Sequence, residues 1–133
     1  MSEKISMKNI KDYKEKSLLI VDDDNPFRER LARAMKKKGF VVTQAESVKK
    51  GIDSLKLTKP AFVVVDLRLN DGSGLEVVKE IQNLNNNSRI IILTGYGNIP
   101  TAVAAIKHGA IDYLAKPADA DDVEKALLAD PKA

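Results

Sequence analysis

The chain has no cysteine and a single histidine, His108. Without thiols there is no disulfide scaffold, no thiolate metal site and no thiol redox chemistry within these residues. His108 has no second imidazole to help it hold a metal. Standing just before Gly109, it reads as a helix-end residue. No apolar run approaches the ~18 residues needed to cross a bilayer, so no membrane contact is expected. The first residues carry lysines with no apolar stretch behind them, which is not the pattern of an export signal. A cytoplasmic protein is therefore the expectation. No internal repeat and no low-complexity tract is visible. The net charge is only +3, and such a small surplus reads as solvated surface rather than as a nucleic-acid footprint.

The 133 residues, 44% apolar and 31% charged, suit one globular domain with a core of its own. Residues 1–16, "MSEKISMKNIKDYKEK", are polar and lysine-rich, and predict a flexible arm. From Ser17 onward two textures alternate. Short continuous apolar runs, "LLIV" (18–21), "AFVVV" (61–65) and "IIIL" (90–93), predict strands buried on both faces, as in a parallel sheet. "FVVTQA" (40–45) and "IDYLA" (111–115) are weaker strands, placed nearer the sheet edges. Between them, Phe27, Leu31, Ala34 and Met35 repeat with helical spacing, as do Val48, Ile52 and Leu55, and Val123, Ala126 and Leu127. Leu75 to Leu84 and Thr101 to His108 fill the two remaining helical slots. Asn25-Pro26 predicts a helix start capped by Asn25. Lys36, Lys37 and Lys38 before Gly39 predict a helix end, with cations at the negative pole. Five strand–helix units in strict alternation point to a doubly wound α/β sheet.

Ligands of such sheets bind beyond the carboxyl ends of the strands. The first strand ends in Asp22, Asp23 and Asp24. The third ends in Asp66, the fourth in Thr94 followed by Gly95, and the fifth in Lys116-Pro117. The adjacent acids repel one another by roughly 1 kcal/mol per pair at about 4 Å in water and about 4 kcal/mol near a protein surface. Carboxylates without histidine or cysteine are hard oxygen ligands, suited to Mg²⁺. A divalent ion would relieve that repulsion and neutralise a phosphoryl group held beside it. Asp66 is then the candidate nucleophile, Lys116 a point charge for a phosphate oxygen, and Thr94 a hydroxyl donor.

"VDDD", "VVVDLRL", "LTGYG" and "DYLAKP", in that order, resemble the receiver domain of two-component response regulators. The resemblance spans residues 17–129 and implies a flavodoxin-like (βα)5 sheet of order 2-1-3-4-5. It implies that Asp66 is phosphorylated by a sensor histidine kinase. It further implies that Mg²⁺ is held by Asp22, Asp23, Asp66 and the backbone carbonyl of Arg68. Thr94 and Lys116 match the switch hydroxyl and the phosphoryl-binding lysine. Lys116-Pro117 matches a cis peptide, and Tyr113 the aromatic that moves inward on activation. The side chains two residues after the phosphoacceptor and two after the threonine, here Arg68 and Tyr96, border the path of the hydrolytic water. Neither orients a water as a carboxylate or amide would, so a long-lived phosphoryl group is expected.

"DDDNPFRERLARAM", "VVDLRLNDGSGLEVV" and the stretch from "LTGYGNIP" to "VEKALL" are similar to the RegA/PrrA/ActR group of redox-responsive transcriptional regulators. Members carry a linker and a helix-turn-helix domain after the receiver. Residues 130–133 are accordingly expected to begin a linker to a DNA-binding domain absent here. DNA is a partner only through that domain, and a homodimer on phosphorylation is the other expected partner.

Three other readings compete. A stand-alone regulator acting by protein contact shares the same site. A Mg²⁺-dependent phosphatase needs a second acid two residues after the nucleophile, where this chain has Arg68. A signalling phosphoacceptor rather than a turnover enzyme is therefore expected. A nucleotide-binding fold needs a glycine-rich loop after the first strand, where the three aspartates would repel a pyrophosphate.

Overall fold

The computed structural model describes residues 9–95 and 98–129. Five strands alternate with five helices: β1 (Ser17–Val21), α1 (Asn25–Lys38), β2 (Val41–Ala45), α2 (Val48–Thr58), β3 (Phe62–Asp66), α3 (Gly74–Asn83), β4 (Arg89–Thr94), α4 (Ile99–Lys107), β5 (Asp112–Ala115) and α5 (Ala120–Leu128). The strands form one parallel sheet in the order β2-β1-β3-β4-β5. The two weaker strands stand at its edges. A two-residue antiparallel pair, Arg68–Leu69 with Gly72–Ser73, lies between β3 and α3 and was not foreseen from the sequence.

Side chains alternate across each strand, so the central strands feed two cores. Leu18, Ile20, Phe62, Val64, Ile91 and Leu93 pack with Leu31, Met35, Val123 and Leu127 of α1 and α5. Leu19, Val21, Val63, Val65, Ile90 and Ile92 pack with Leu55, Val77, Val78, Ile81 and Ala105 of α2, α3 and α4. Each large side chain so buried contributes about 1.5–3 kcal/mol, which is why the central strands carry no polar alternation.

Three expectations need correction. The cap of α1 is Asp24 rather than Asn25: its Oδ1 accepts from the Phe27 amide at 3.1 Å, and Pro26 sits in the first turn. A carboxylate at that position gains from the helix dipole as well as the hydrogen bond. α4 begins at Ile99, two residues before Thr101, because Pro100 fits a first helical turn. The arm expected to be flexible over residues 1–16 is docked from Asn9 onward, while residues 1–8 lie outside the described residues. Ile10 is fully buried, Tyr13 meets Phe62 edge-on at 5.5 Å, and the Lys16 carbonyl accepts from the Val41 amide. Two apolar side chains among many lysines suffice, because each finds a ready hole. Ile10 covers Gly39, where an added Cβ would lie 3.1 Å from Ile10 Cγ2. Gly39 also carries the left-handed φ of 117° that ends α1, as its sequence position predicts.

Candidate functional site

Four of the five strands deliver a side chain to the carboxyl edge of the sheet. Asp22 follows β1, and its amide donates to the Ala45 carbonyl of β2. Its carboxylate is fully buried. Oδ1 accepts from the Asp24 amide at 2.9 Å, and Oδ2 accepts from Lys116 Nζ at 2.9 Å. Asp66 closes β3 and is buried at 6% exposure. Its Oδ1 accepts from the Arg68 amide at 3.2 Å, and its Oδ2 from Lys116 Nζ at 3.0 Å. One ammonium thus bridges the two carboxylates. Lys116 is set by the loop after β5: its amide donates to the Thr94 carbonyl, and Lys116-Pro117 is cis. Its Nζ also lies 4.7 Å from the centre of the Phe27 ring, which supplies a cation–π contact.

Thr94 ends β4, buried, with its hydroxyl donating to the Gly95 carbonyl at 3.2 Å. Among the described residues, an added Cβ at Gly95 would meet nothing within 4 Å, which leaves space beside Thr94. Tyr113, paired with Ile92 in the register of β4 and β5, is half-buried against the α2–α4 core. Carboxylate oxygens of Asp22, Asp23 and Asp66 lie within 4.8 Å of one another. Three carboxylates against one ammonium leave the cluster at −2, and oxygen-only donors at that spacing fit a hard divalent cation. The site could hold a metal ion.

The charges bend the titration of the buried pair. Burial pushes the Asp22 carboxyl above its ordinary range, the Asp66 charge adds to this, and the Asp24 amide and Lys116 oppose it. Burial pulls Lys116 down, but the hydrogen bonds and charges of Asp22 and Asp66 outweigh it and hold the ammonium above its usual value.

The structure brings together Asp22, Asp23, Asp66, Thr94 and Lys116, all of which the strand-end argument had singled out. The Arg68 backbone runs beside Asp66, and its side chain is exposed. Tyr96 lies outside the described residues. Sequence reasoning missed three contributors. Phe27 reads as helix core yet also underlies Lys116. Gly74 starts α3 so close that a Cβ there would fall 2.2 Å from the Asp66 carbonyl oxygen. Asp71 accepts from the Val48 and Lys49 amides at 2.8 and 3.1 Å, which ties the loop after Asp66 to the start of α2. Those two amides hold the Asp71 carboxyl below its ordinary range.

The family model of the response regulator receiver domain matches residues 18–128. The acid tolerance regulatory protein ActR of Rhizobium meliloti (strain 1021) is 59% identical over 117 residues, which cover 88% of this chain and 60% of ActR. The photosynthetic apparatus regulatory protein RegA of Cereibacter sphaeroides is 56% identical over 115 residues, 86% of this chain and 62% of RegA. The chain therefore spans about three-fifths of the length of these curated relatives. Among solved structures, a response regulator protein from Burkholderia pseudomallei with a phosphorylated aspartic acid, calcium ion and citrate superposes with a TM-score of 0.80. It is 39% identical, and the match covers 85% of this chain and 66% of that one. No helix among the described residues is long and apolar enough to cross a membrane. With an aspartate closing the central strand, a lysine shared between two acids and a family match over nearly the whole fold, the chain belongs to the response regulator receiver domains of two-component systems.

Proposed function

We propose that Asp66 accepts a phosphoryl group from the phosphohistidine of a sensor histidine kinase, and that this switches the surface built from β4, α4 and β5. The observation that carries the reading is the Lys116 ammonium shared between Asp22 and Asp66 at 2.9 and 3.0 Å. A cation held there by two acids is placed to follow new negative charge on Asp66. A carboxylate oxygen of Asp66 attacks phosphorus. The phosphorus–nitrogen bond to the kinase breaks, its electron pair returns to the imidazole, and an aspartyl phosphate remains. Lys116 then pairs with a phosphoryl oxygen as a point charge. The Thr94 hydroxyl leaves the Gly95 carbonyl and donates to another, and Tyr113 fills the space that Thr94 vacates. The open space beside Gly95 admits the donor.

Asp22, Asp23, Asp66 and the backbone carbonyl of Arg68 would hold Mg²⁺, whose charge, when it is bound, neutralises the transferring phosphoryl oxygens. Arg68 and Tyr96 border the water path and lengthen the life of the aspartyl phosphate. Ile99, Val103 and Ile106 form an exposed apolar stripe on α4, suited to a homodimer or effector contact once the surface changes. The greater length of ActR and RegA supports control of a C-terminal DNA-binding domain, and hence of transcription in the cytoplasm, by a receiver domain of residues 17–129.

The test is intact mass after incubation with acetyl phosphate and Mg²⁺. One phosphoryl group should appear, and it should fail to form when the metal is chelated beforehand or in Asp66→Asn. An Asp66→Asn protein that gains phosphoryl at the wild-type rate contradicts the reading.

A further inference from the structure

Four polar or charged residues are buried among the described residues: Asp22, Asp66, Thr94 and Arg28. Three of them belong to the site. Arg28 stands on α1, and nothing in the phosphoryl chemistry uses it. A guanidinium so placed is costly unless its donors are matched; two of its three nitrogens have acceptors, and Nη2 lies 3.7 Å from the exposed Glu29 carboxylate. Nη1 donates to the Asp22 backbone carbonyl at 2.9 Å and to Asn25 Oδ1 at 2.6 Å. Nε donates to Gln44 Oε1 at 2.9 Å. The rigid fork thereby joins the exit of β1, the first turn of α1 and the end of β2.

The acidic run Asp22-Asp23-Asp24 hangs between these points. On one side it is held by the Asp22 amide on Ala45, on the other by the Asp24 side chain capping α1. Repulsion between neighbouring carboxylates favours splaying this run open in the metal-free protein. Arg28 opposes that in two ways. It pins the carbonyl of the residue that carries the buried carboxylate, and it sets a positive charge against the backbone of the run.

We propose that Arg28 is a positioning residue for the divalent-cation site. It holds the Asp22–Asn25 turn so that the Asp22 and Asp23 carboxylates face Asp66 before the metal arrives. The inference rests on the metal-binding role given to those acids above. A lysine at this position keeps the charge but lacks the planar fork that reaches three acceptors. Charge alone and positioning therefore make opposite forecasts. A cation near the site repels Mg²⁺, so if charge is all that matters, Arg28→Gln tightens metal binding and Arg28→Lys leaves it unchanged. If Arg28 positions the turn, both variants weaken it, because partners that orient metal ligands are typically worth about 10–100-fold in affinity.

Mg²⁺ affinity is measured by titration calorimetry on wild type, Arg28→Lys, Arg28→Gln and Leu127→Ala, with melting temperature recorded for each. Leu127→Ala removes core packing on α5 and none of the Arg28 acceptors, so it controls for stability alone. Arg28→Lys should bind Mg²⁺ about tenfold more weakly, while Leu127→Ala stays within about twofold although its melting temperature falls. Asn25→Ala, an exposed position, loosens the same fork without threatening the fold and should weaken Mg²⁺ about threefold, an intermediate loss on the same scale. Unchanged affinity in Arg28→Lys and Asn25→Ala overturns the proposal, as does tighter binding in Arg28→Gln. Wild type that binds no Mg²⁺, or binds it equally well as Asp23→Asn, overturns instead the metal centre on which the proposal stands.

Discussion

Replacing Lys116 by methionine removes the one charge that the buried acids share and keeps a side chain of similar reach for the Phe27 face. Breaking a buried ion pair by deleting one partner costs about 3–5 kcal/mol, because the other charge is left uncompensated. Asp22 is fully buried, but the Lys116 side chain retains 21% exposure, and water screens part of the interaction. About 2–3 kcal/mol is therefore expected for the metal-free protein near neutral pH. For a chain of this size that lowers the melting temperature by roughly 6–12 °C. The loss depends on pH in a defined direction. The folded pKa of Lys116 is raised, so its stabilisation is fully present below the ordinary lysine value and fades as pH rises through the folded one. The Asp22 carboxyl is raised too, so lowering the pH through its folded value neutralises the stranded acid and narrows the gap between variant and wild type. Mg²⁺ supplies the missing counter-charge, so Lys116→Met should gain more from the metal than wild type does. Urea unfolding in chelator and in Mg²⁺, from the acid range up to alkaline pH, measures these effects. A metal-free variant within about 0.5 kcal/mol of wild type, with an equal metal-induced shift, would refute the reasoning.

Asp23→Asn should weaken Mg²⁺ binding yet leave the metal-free fold as stable as wild type or more so, since it relieves repulsion present in the folded state. A much less stable metal-free form with an unchanged metal shift would count against the acidic cluster as drawn. Gly74→Ala drives a Cβ to within 2.2 Å of the Asp66 carbonyl; it should lower stability by about 1–3 kcal/mol and slow phosphorylation, both read on one preparation by melting and intact mass. Arg68→Asn with Tyr96→Glu should speed loss of the phosphoryl group about tenfold, a barrier change of about 1.4 kcal/mol, followed by mass over time. Beryllofluoride with Mg²⁺ should change hydrogen exchange between residues 94 and 116, and identical exchange before and after would exclude the switch.

The site was legible because a parallel sheet sends every strand's carboxyl end to the same edge. Once "LLIV", "AFVVV", "IIIL" and "IDYLA" are read as strands, the residues that follow them must meet. Cap identity was harder. Asn25 and Asp24 both suit the position, and the backbone chose the acid that begins the turn. Arg28 carries no signal in the sequence, since its three acceptors come from Asp22, Asn25 and Gln44 and no periodicity marks them. Asp71 was hidden for the same reason: its helix partner lies 23 residues earlier in the chain. Ile10 and Tyr13 were read as arm because two apolar side chains among lysines give no pattern. Their burial depends on holes formed by Gly39 and Phe62.

The central claim is that Asp66 itself carries the phosphoryl group. Borohydride reduces an aspartyl phosphate to homoserine and leaves free carboxylates intact. Protein phosphorylated with acetyl phosphate and Mg²⁺, then reduced, digested and sequenced by tandem mass spectrometry, should show the conversion at position 66 and nowhere else. Conversion at Asp22, Asp23 or Asp24 with Asp66 intact would contradict the account.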